Sequence, residues 1–187
     1  MDKLSVALKE WDIVISAMLA GTQVVVLRKG GILEAENEFE LEHRRFLFYP
    51  TFVHQDAKMV RAGFLPAGGF ASVREEPETI EIRGYGEVAK IFEVRSRGAL
   101  EELEDLHMWG PAMLDMRFGY RPEKPLYLVV VRAFRLPAAV RIKNTMAYAG
   151  CKSWVPLEEE VSVEGSVAAV EEGRLRGIVE RVERTFG

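Results

Sequence analysis

The sequence predicts an α+β fold, with a mixed or largely antiparallel sheet and an amphipathic helix near each end of the chain. Apolar runs and helical segments follow one another irregularly, without the strict repeat of a doubly wound fold. Residues 79–83 alternate polar and apolar side chains, which is typical of a half-exposed antiparallel strand. The chain has 187 residues, of which 48% are hydrophobic, enough for a single domain over residues 1–187 with a sizeable core.

Hydrophobic spacing predicts the two amphipathic helices. Over residues 3–20, apolar side chains recur at intervals of three and four, and Gly21 follows where a left-handed cap belongs. Over the last part of the chain, the same spacing predicts a closing helix. The apolar positions of the two helices are Leu4, Leu8, Trp11, Ile15 and Met18, then Leu175, Ile178, Val179, Val182 and Phe186.

Short apolar runs between these helices predict the strands. The runs at 24–27, 46–49 and 126–134 are typical of interior strands. Residues 88–94 are predicted to pair with 79–83 across a turn at Gly84–Gly86. The Gly- and Pro-rich stretch 65–77 is predicted to be a loop or hinge within the single domain.

Composition excludes several classes of protein. The single Cys151 excludes a disulfide framework and a Cys-rich metal site. No apolar run approaches the ~18 residues of a membrane helix, so we expect a cytoplasmic protein with no membrane partner. The chain has two Asn and two Gln among many charged residues, a thermophile-like composition that predicts high stability.

Charge is distributed unevenly along a chain whose net charge is −4. Residues 117–152 contain eight basic residues against the single acid Glu123, a net charge of +7. Such a segment can bind an anionic ligand, or it can pair with the acidic remainder of the fold. The alternation of Arg141 and Lys143 with Val140 and Ile142 predicts that both cations face solvent. The candidate anion-binding residues are Arg28, Lys29, Arg132, Arg135, Arg141, Lys143, Lys152 and Trp154.

Four short motifs, taken in order, resemble a known bacterial family. They are Leu8-Lys9-Glu10-Trp11, Leu27-Arg28-Lys29-Gly30-Gly31-Ile32, Phe46-Leu47-Phe48-Tyr49-Pro50-Thr51 with His54-Gln55, and Gly150-Cys151-Lys152-Ser153-Trp154-Val155. Together they span roughly residues 7–157 and are similar to the uncharacterised family known as domain of unknown function 1802. This resemblance implies a family, but it assigns no catalytic residue.

Three acidic residues at alternate positions form the candidate metal site. In an extended strand, Glu38, Glu40 and Glu42 would share one face. Converging carboxylates can bind Mg²⁺ or Mn²⁺, and a metal ion can activate water on a phosphodiester. Glu40, Glu42, His43 and His54 are therefore the candidate catalytic residues of an enzyme. The same alternation is also what an ordinary solvated edge strand shows, and whether the protein is an enzyme stays open.

Two further motifs can each bind an anion or serve the fold alone. The Gly turn beside Arg28 and Lys29 can form an anion-binding nest or a plain turn. Lys152 beside Trp154 can hold a nucleotide by phosphate contact and base stacking, or Trp154 can belong to the core. Three hypotheses follow from the sequence: a protein that binds an anionic ligand, most plausibly nucleic acid; a metal-dependent phosphodiesterase or nuclease-type hydrolase; and a non-enzymatic partner protein that forms homo-oligomers.

Overall fold

The computed structural model describes residues 2–29, 43–67, 69–70, 73–150 and 152–186, and only the backbone of 34–35 and 38–39. The strands are β1 Lys3–Trp11, β2 Val25–Lys29, β3 Glu34–Ala35, β4 Glu38–Phe39, β5 Arg45–Thr51, β6 Thr79–Val94, β7 Leu126–Lys143, β8 Trp154–Ser162 and β9 Val167–Ala168. The helices are α1 Asp12–Leu19, α2 Arg97–Glu101, α3 Pro111–Gly119 and α4 Glu172–Phe186, and single 3-10 turns lie at Ala57–Met59, Ala62–Phe64, Glu104–Leu106 and Met146–Tyr148.

One mixed, mostly antiparallel sheet confirms the predicted α+β class. Its strands follow the order β2-β7-β6-β5-β1-β8, and β9 pairs with β7. β1 and β5 run parallel, whereas the other strand pairs of this sheet are antiparallel. β3 and β4 form a separate two-stranded ladder.

The predicted first helix, residues 3–20, is only partly right, because a strand precedes it. Residues 3–11 form β1, and the helix begins at Asp12. β1 lies between β5 and β8, so both of its edges are hydrogen-bonded. Ala7 and Leu8 are both buried, in two different core clusters. Burial on both faces of a paired strand outweighs a hydrophobic spacing that also fits a helix.

The predicted turn at Gly84–Gly86 is also wrong, because β6 runs through it as one continuous strand that pairs with β7. The glycines serve close packing instead. A Cβ on Gly84 would lie 2.4 Å from both Leu19 Cδ2 and the carbonyl oxygen of Phe134. Glycine at this position therefore lets α1 lie directly on the sheet.

Apolar side chains form two clusters on opposite faces of the sheet. Along β5, Phe46 and Phe48 belong to one cluster, and Leu47 and Tyr49 belong to the other. The helices cover the first cluster. In α4, which confirms the predicted closing helix, the buried residues are Leu175, Ile178 and Val182. No helix in the described part of the chain is long and apolar enough to cross a membrane.

A buried ion pair shows that the sheet curls strongly. Arg28 at the end of β2 and Glu10 at the end of β1 are joined by a 2.9 Å salt bridge. Four strand spacings separate β2 from β1 in the sheet order, or about 19 Å if the sheet were flat. The contact therefore requires the two strands to bend toward each other around the helix-covered face.

Candidate functional site

The candidate site lies at the edge of the sheet where β1 leads directly into α1. β1 and β5 are parallel, and their last paired residues are Trp11 and Thr51. The Thr51 hydroxyl donates to the carbonyl of Glu10 at 3.1 Å. The carboxyl ends of two parallel strands thus meet the N-terminus of a helix, an arrangement at which α/β proteins commonly bind ligands.

The first groove at this edge lies between the start of α1 and the outer ends of β6 and β7. We name it the cationic groove after its two arginines, whose charges are balanced by the carboxylates of Asp12 and Glu81, and its volume is about 590 Å³. Ligand sites commonly occupy about 300–1,000 Å³. The residues that line it are Asp12, Pro50, Phe52, Thr79, Ile80, Glu81, Arg83 and Arg141.

Two arginines on neighbouring strands line the cationic groove. Arg83 donates from one terminal nitrogen to the Asp12 carboxylate and, at 3.2 Å, to the Ser16 hydroxyl. Arg141 donates from Nε to Glu81 at 3.0 Å. A guanidinium carries five N–H donors in a planar fork. Each arginine therefore keeps N–H groups that bond to nothing in the described part of the chain, and such groups bind phosphate well.

Lys143 adds a third cation beside this groove. In the β6–β7 ladder, Thr79 is paired with Lys143 and Glu81 with Arg141, so these four side chains share one face. Arg141 and Lys143 are exposed.

Asp12 is one of the two acidic groups that line the cationic groove, and Glu81 is the other. Asp12 is half-buried, and burial raises its pKa above the ordinary 3.8, while the positive charge of Arg83 acts in the opposite direction. A titratable group with a shifted pKa in a cleft is a frequent property of functional sites. Here the carboxylate also holds the Arg83 guanidinium in position.

A second groove of about 750 Å³ lies on the other side of Asp12. We name it the apolar groove, because α1 and the segment before residue 71 give it mainly apolar walls. Asp12 lines both grooves, so they adjoin at the start of α1. The remaining residues that line it are Ile13, Ser16, Ala17, Ala20, Thr22, Gln55, Gly63, Phe64, Leu65, Pro66, Phe70, Asp105 and Arg174.

Two side chains of the apolar groove have fixed positions. The Gln55 side-chain oxygen accepts a hydrogen bond from the Ile13 backbone N–H at 2.9 Å. The half-buried Phe64 ring lies 5.2 Å from the guanidinium carbon of Arg61. Arg61 is itself held by the carbonyl groups of Glu104 and His107.

Two predicted anion-binding residues, Arg28 and Lys29, make contacts within the fold. Besides its bond to Glu10, Arg28 donates to the carbonyl of Lys9 at 3.0 Å. Burial lowers the pKa of Arg28, while Glu10 opposes this. Lys29 donates to the carbonyls of Arg117 and Phe118, both at 2.9 Å, at the C-terminus of α3.

The basic segment 117–152 is spread along the whole length of β7, a strand of 18 residues from Leu126 to Lys143. In its middle, Arg132 pairs with Glu172 at 2.6 Å, and Arg135 donates to the carbonyl of Leu19 at 2.7 Å.

Lys152 is exposed just before β8. Trp154 is half-buried and packs edge-on against His43 and Phe46, with ring centroids 5.2 and 5.3 Å apart. Of the eight predicted residues, the structure brings only Arg141 and Lys143 together beside one groove.

The predicted metal site lies largely outside the described residues. Glu40, Glu42 and Cys151 are not described, and only the backbone of Glu38 is placed, in β4. His54 is exposed in the turn after β5, the turn that also carries Phe52 and Gln55. Within the described ranges, no three His, Cys, Asp or Glu side chains cluster to hold a metal ion. Mg²⁺ or Mn²⁺ at Glu38, Glu40 and Glu42 stays a prediction.

Sequence patterns alone did not select Asp12, Arg83 or Phe64. Arg83 lies on the polar face of the predicted strand 79–83, together with Glu81. The alternation that exposes Arg141 also applies to Arg83, and this is the signal that could have selected it. Its contact with Asp12 joins residues 71 positions apart in the chain, which local spacing does not reveal.

The fold and these grooves define an α+β protein with an arginine-lined groove beside a parallel strand pair. The family model described as Domain of unknown function (DUF1802) matches residues 7–181, so the chain belongs to this family and the resemblance is confirmed. A comparison with curated proteins found no match.

Two solved structures from Zymomonas mobilis are similar to this chain. The crystal structure of ASCH has a TM-score of 0.45 and 10% sequence identity, and the match covers 94% of this chain and 93% of that one. The crystal structure of a serine-to-alanine mutant of the ASCH protein has a TM-score of 0.44 and 10% identity, and the match covers 94% of each chain.

Proposed function

We propose that this protein binds nucleic acid, with phosphate groups of the strand in the cationic groove against Arg83, Arg141 and Lys143. One observation carries the proposal: two guanidinium groups from neighbouring strands line one groove and keep N–H donors free of any described partner. Guanidinium forks match the geometry of phosphate oxygens, and such contacts supply most of the affinity of sequence-independent binding.

The existing ion pairs of the groove do not prevent phosphate binding. The side chains of Arg141 and Glu81 are 78% and 45% exposed, and a pair this exposed contributes little free energy. A phosphate can therefore engage the remaining nitrogens of Arg141 at small cost. Asp12 supports the site by orienting Arg83, whose bond to Ser16 fixes the guanidinium further.

Salt-dependent binding tests this proposal. Wild type and the Arg141→Ala/Lys143→Ala variant are titrated with a labelled oligonucleotide of random sequence, and anisotropy is followed at several salt concentrations. The variant loses about two phosphate contacts, so the slope of log K against log salt should become shallower by nearly two. Its unfolding free energy should stay close to that of wild type, because exposed charges contribute little to stability.

The other end of the same two strands offers a matched control. Arg95 and Lys124 are exposed and lie next to Val94 and Leu126, which pair at the far end of the β6–β7 ladder. The Arg95→Ala/Lys124→Ala variant removes the same charge at the opposite end of β6 and β7, and should leave the slope unchanged. The proposal would be overturned if wild type did not bind the oligonucleotide even at low salt. It would also be overturned if the slope of log K against log salt changed only in the Arg95→Ala/Lys124→Ala variant.

A further inference from the structure

We infer that the apolar groove holds an unpaired nucleobase, so that the ligand is a single strand rather than a duplex. This inference rests on the proposed function, because it places the base of a nucleotide whose phosphate lies in the cationic groove. It is based on the adjacency of the cationic and apolar grooves, and on the apolar walls and hydrogen-bond donor of the apolar groove.

The two grooves adjoin at a single residue. Asp12 lines both, with Arg83 on one side and Gln55 on the other. In a nucleotide, one sugar separates the charged phosphate from the flat base. A groove with free cationic donors beside a groove with apolar walls therefore matches the two halves of this ligand.

The walls of the apolar groove suit a flat aromatic ring. Ile13 and Leu65 give aliphatic surface, and Phe64 and Phe70 give two aromatic rings. Stacking on aromatic side chains is how proteins commonly bind unpaired bases irrespective of sequence. Phe64 suits this role because Arg61, fixed by two carbonyl groups, packs against its ring.

Gln55 supplies a hydrogen-bond donor to the same groove. Its side-chain oxygen is used by the Ile13 N–H, so the orientation of the amide is set by the start of α1. The two N–H groups of the amide have no partner in the described part of the protein. Each of the four bases carries acceptor atoms on its edge, so this donor favours a base without selecting one.

A base-paired duplex cannot use the apolar groove, because its bases are stacked and their pairing edges are occupied. Entry of a base would require it to leave the stack, at a cost of a few kcal/mol. The cationic groove alone would remain for the duplex. Single strands should therefore bind more tightly than duplexes of the same sequence.

The experiment compares single-stranded and duplex oligonucleotides of one sequence, DNA and RNA, with wild type and the Phe64→Leu and Phe64→Tyr variants. Leucine keeps apolar packing but removes the aromatic face, so single-strand affinity should fall about tenfold. Tyrosine keeps the ring and should restore affinity, and duplex affinity should stay constant. A 2-aminopurine base in the single strand should lose fluorescence on binding wild type but not the Phe64→Leu variant.

A second pair of variants tests the amide donor. Gln55→Glu keeps an oxygen for the Ile13 N–H but replaces the donor by an acceptor, and should weaken single-strand binding. Ala57→Glu adds the same charge at an exposed position two residues away and controls for repulsion of phosphate. Gln55→Glu should weaken single-strand binding more than Ala57→Glu does.

The outcomes separate this inference from the proposed function. Equal affinity for single strand and duplex, with no effect of Phe64→Leu, would overturn the base subsite and leave phosphate binding intact. No binding of either ligand at low salt would overturn both.

Discussion

Removing one partner of the buried Glu10–Arg28 ion pair should destabilise the protein strongly, because the other charge is left buried without a counterion. The two side chains are only 6% and 14% exposed, and their charged atoms are 2.9 Å apart. The other carboxylate oxygen of Glu10 accepts from the Trp11 N–H at 2.9 Å. Glu10→Gln keeps the size of this side chain but leaves the Arg28 charge buried without a counterion.

Breaking a buried pair in this way costs about 3–5 kcal/mol, against a total unfolding free energy of about 5–15 kcal/mol for a typical protein. Replacing both partners, in Glu10→Gln/Arg28→Met, removes the uncompensated charge and should recover most of that loss. Urea denaturation of wild type, the two single variants and the double variant gives the coupling free energy. Two results would refute the reasoning. One is a loss of unfolding free energy below about 1 kcal/mol for Glu10→Gln. The other is a loss for the double variant that equals the sum of the losses for the two single variants.

Three further stability predictions concern His107, Gly84 and Gly177. His107 is 1% exposed and bonds through Nε2 to the Leu100 carbonyl; burial lowers its pKa below the ordinary 6.5. The unfolded chain therefore takes up the proton first, and stability should be full above pH 6.5 and fall as the pH drops below it. As the pH is lowered from 7.5 to 5, the unfolding free energy of wild type should therefore fall relative to that of the His107→Gln variant. Gly84→Ala should destabilise by about 1–3 kcal/mol, because its Cβ meets the Phe134 backbone. Gly177→Ala, with open space around it in α4, should instead stabilise by up to about 1 kcal/mol in thermal unfolding.

The local spacing of apolar residues was sufficient to predict a helix or strand that buries a single face. The closing helix was predicted because Leu175, Ile178 and Val182 face the core, while charged residues such as Arg174, Arg176 and Glu180 are exposed. The outward direction of Arg141 and Lys143 followed from the alternation of residues 140–143 at the end of β7. Both features depend only on neighbours within a few residues.

Pattern failed where pairing between distant segments decides the structure. β1 has a helical spacing, yet its hydrogen bonds go to β5 and β8. Gly84 is typical of a turn, yet its role is close packing against Leu19. The grooves are built in the same nonlocal way, by contacts of Asp12 with Arg83 and of Ile13 with Gln55.

We expect nucleic acid to bind the surface around the start of α1. Nitrogen-15 NMR of the labelled protein, titrated with a short single-stranded oligonucleotide at low salt, tests this most directly. The backbone amide signals of Asp12, Ile13 and Gln55, and the side-chain Nε–H signal of Arg83, should shift progressively with added ligand. Shifts confined to the turn at 121–124, at the far end of β7, or no shifts at all, would contradict the claim.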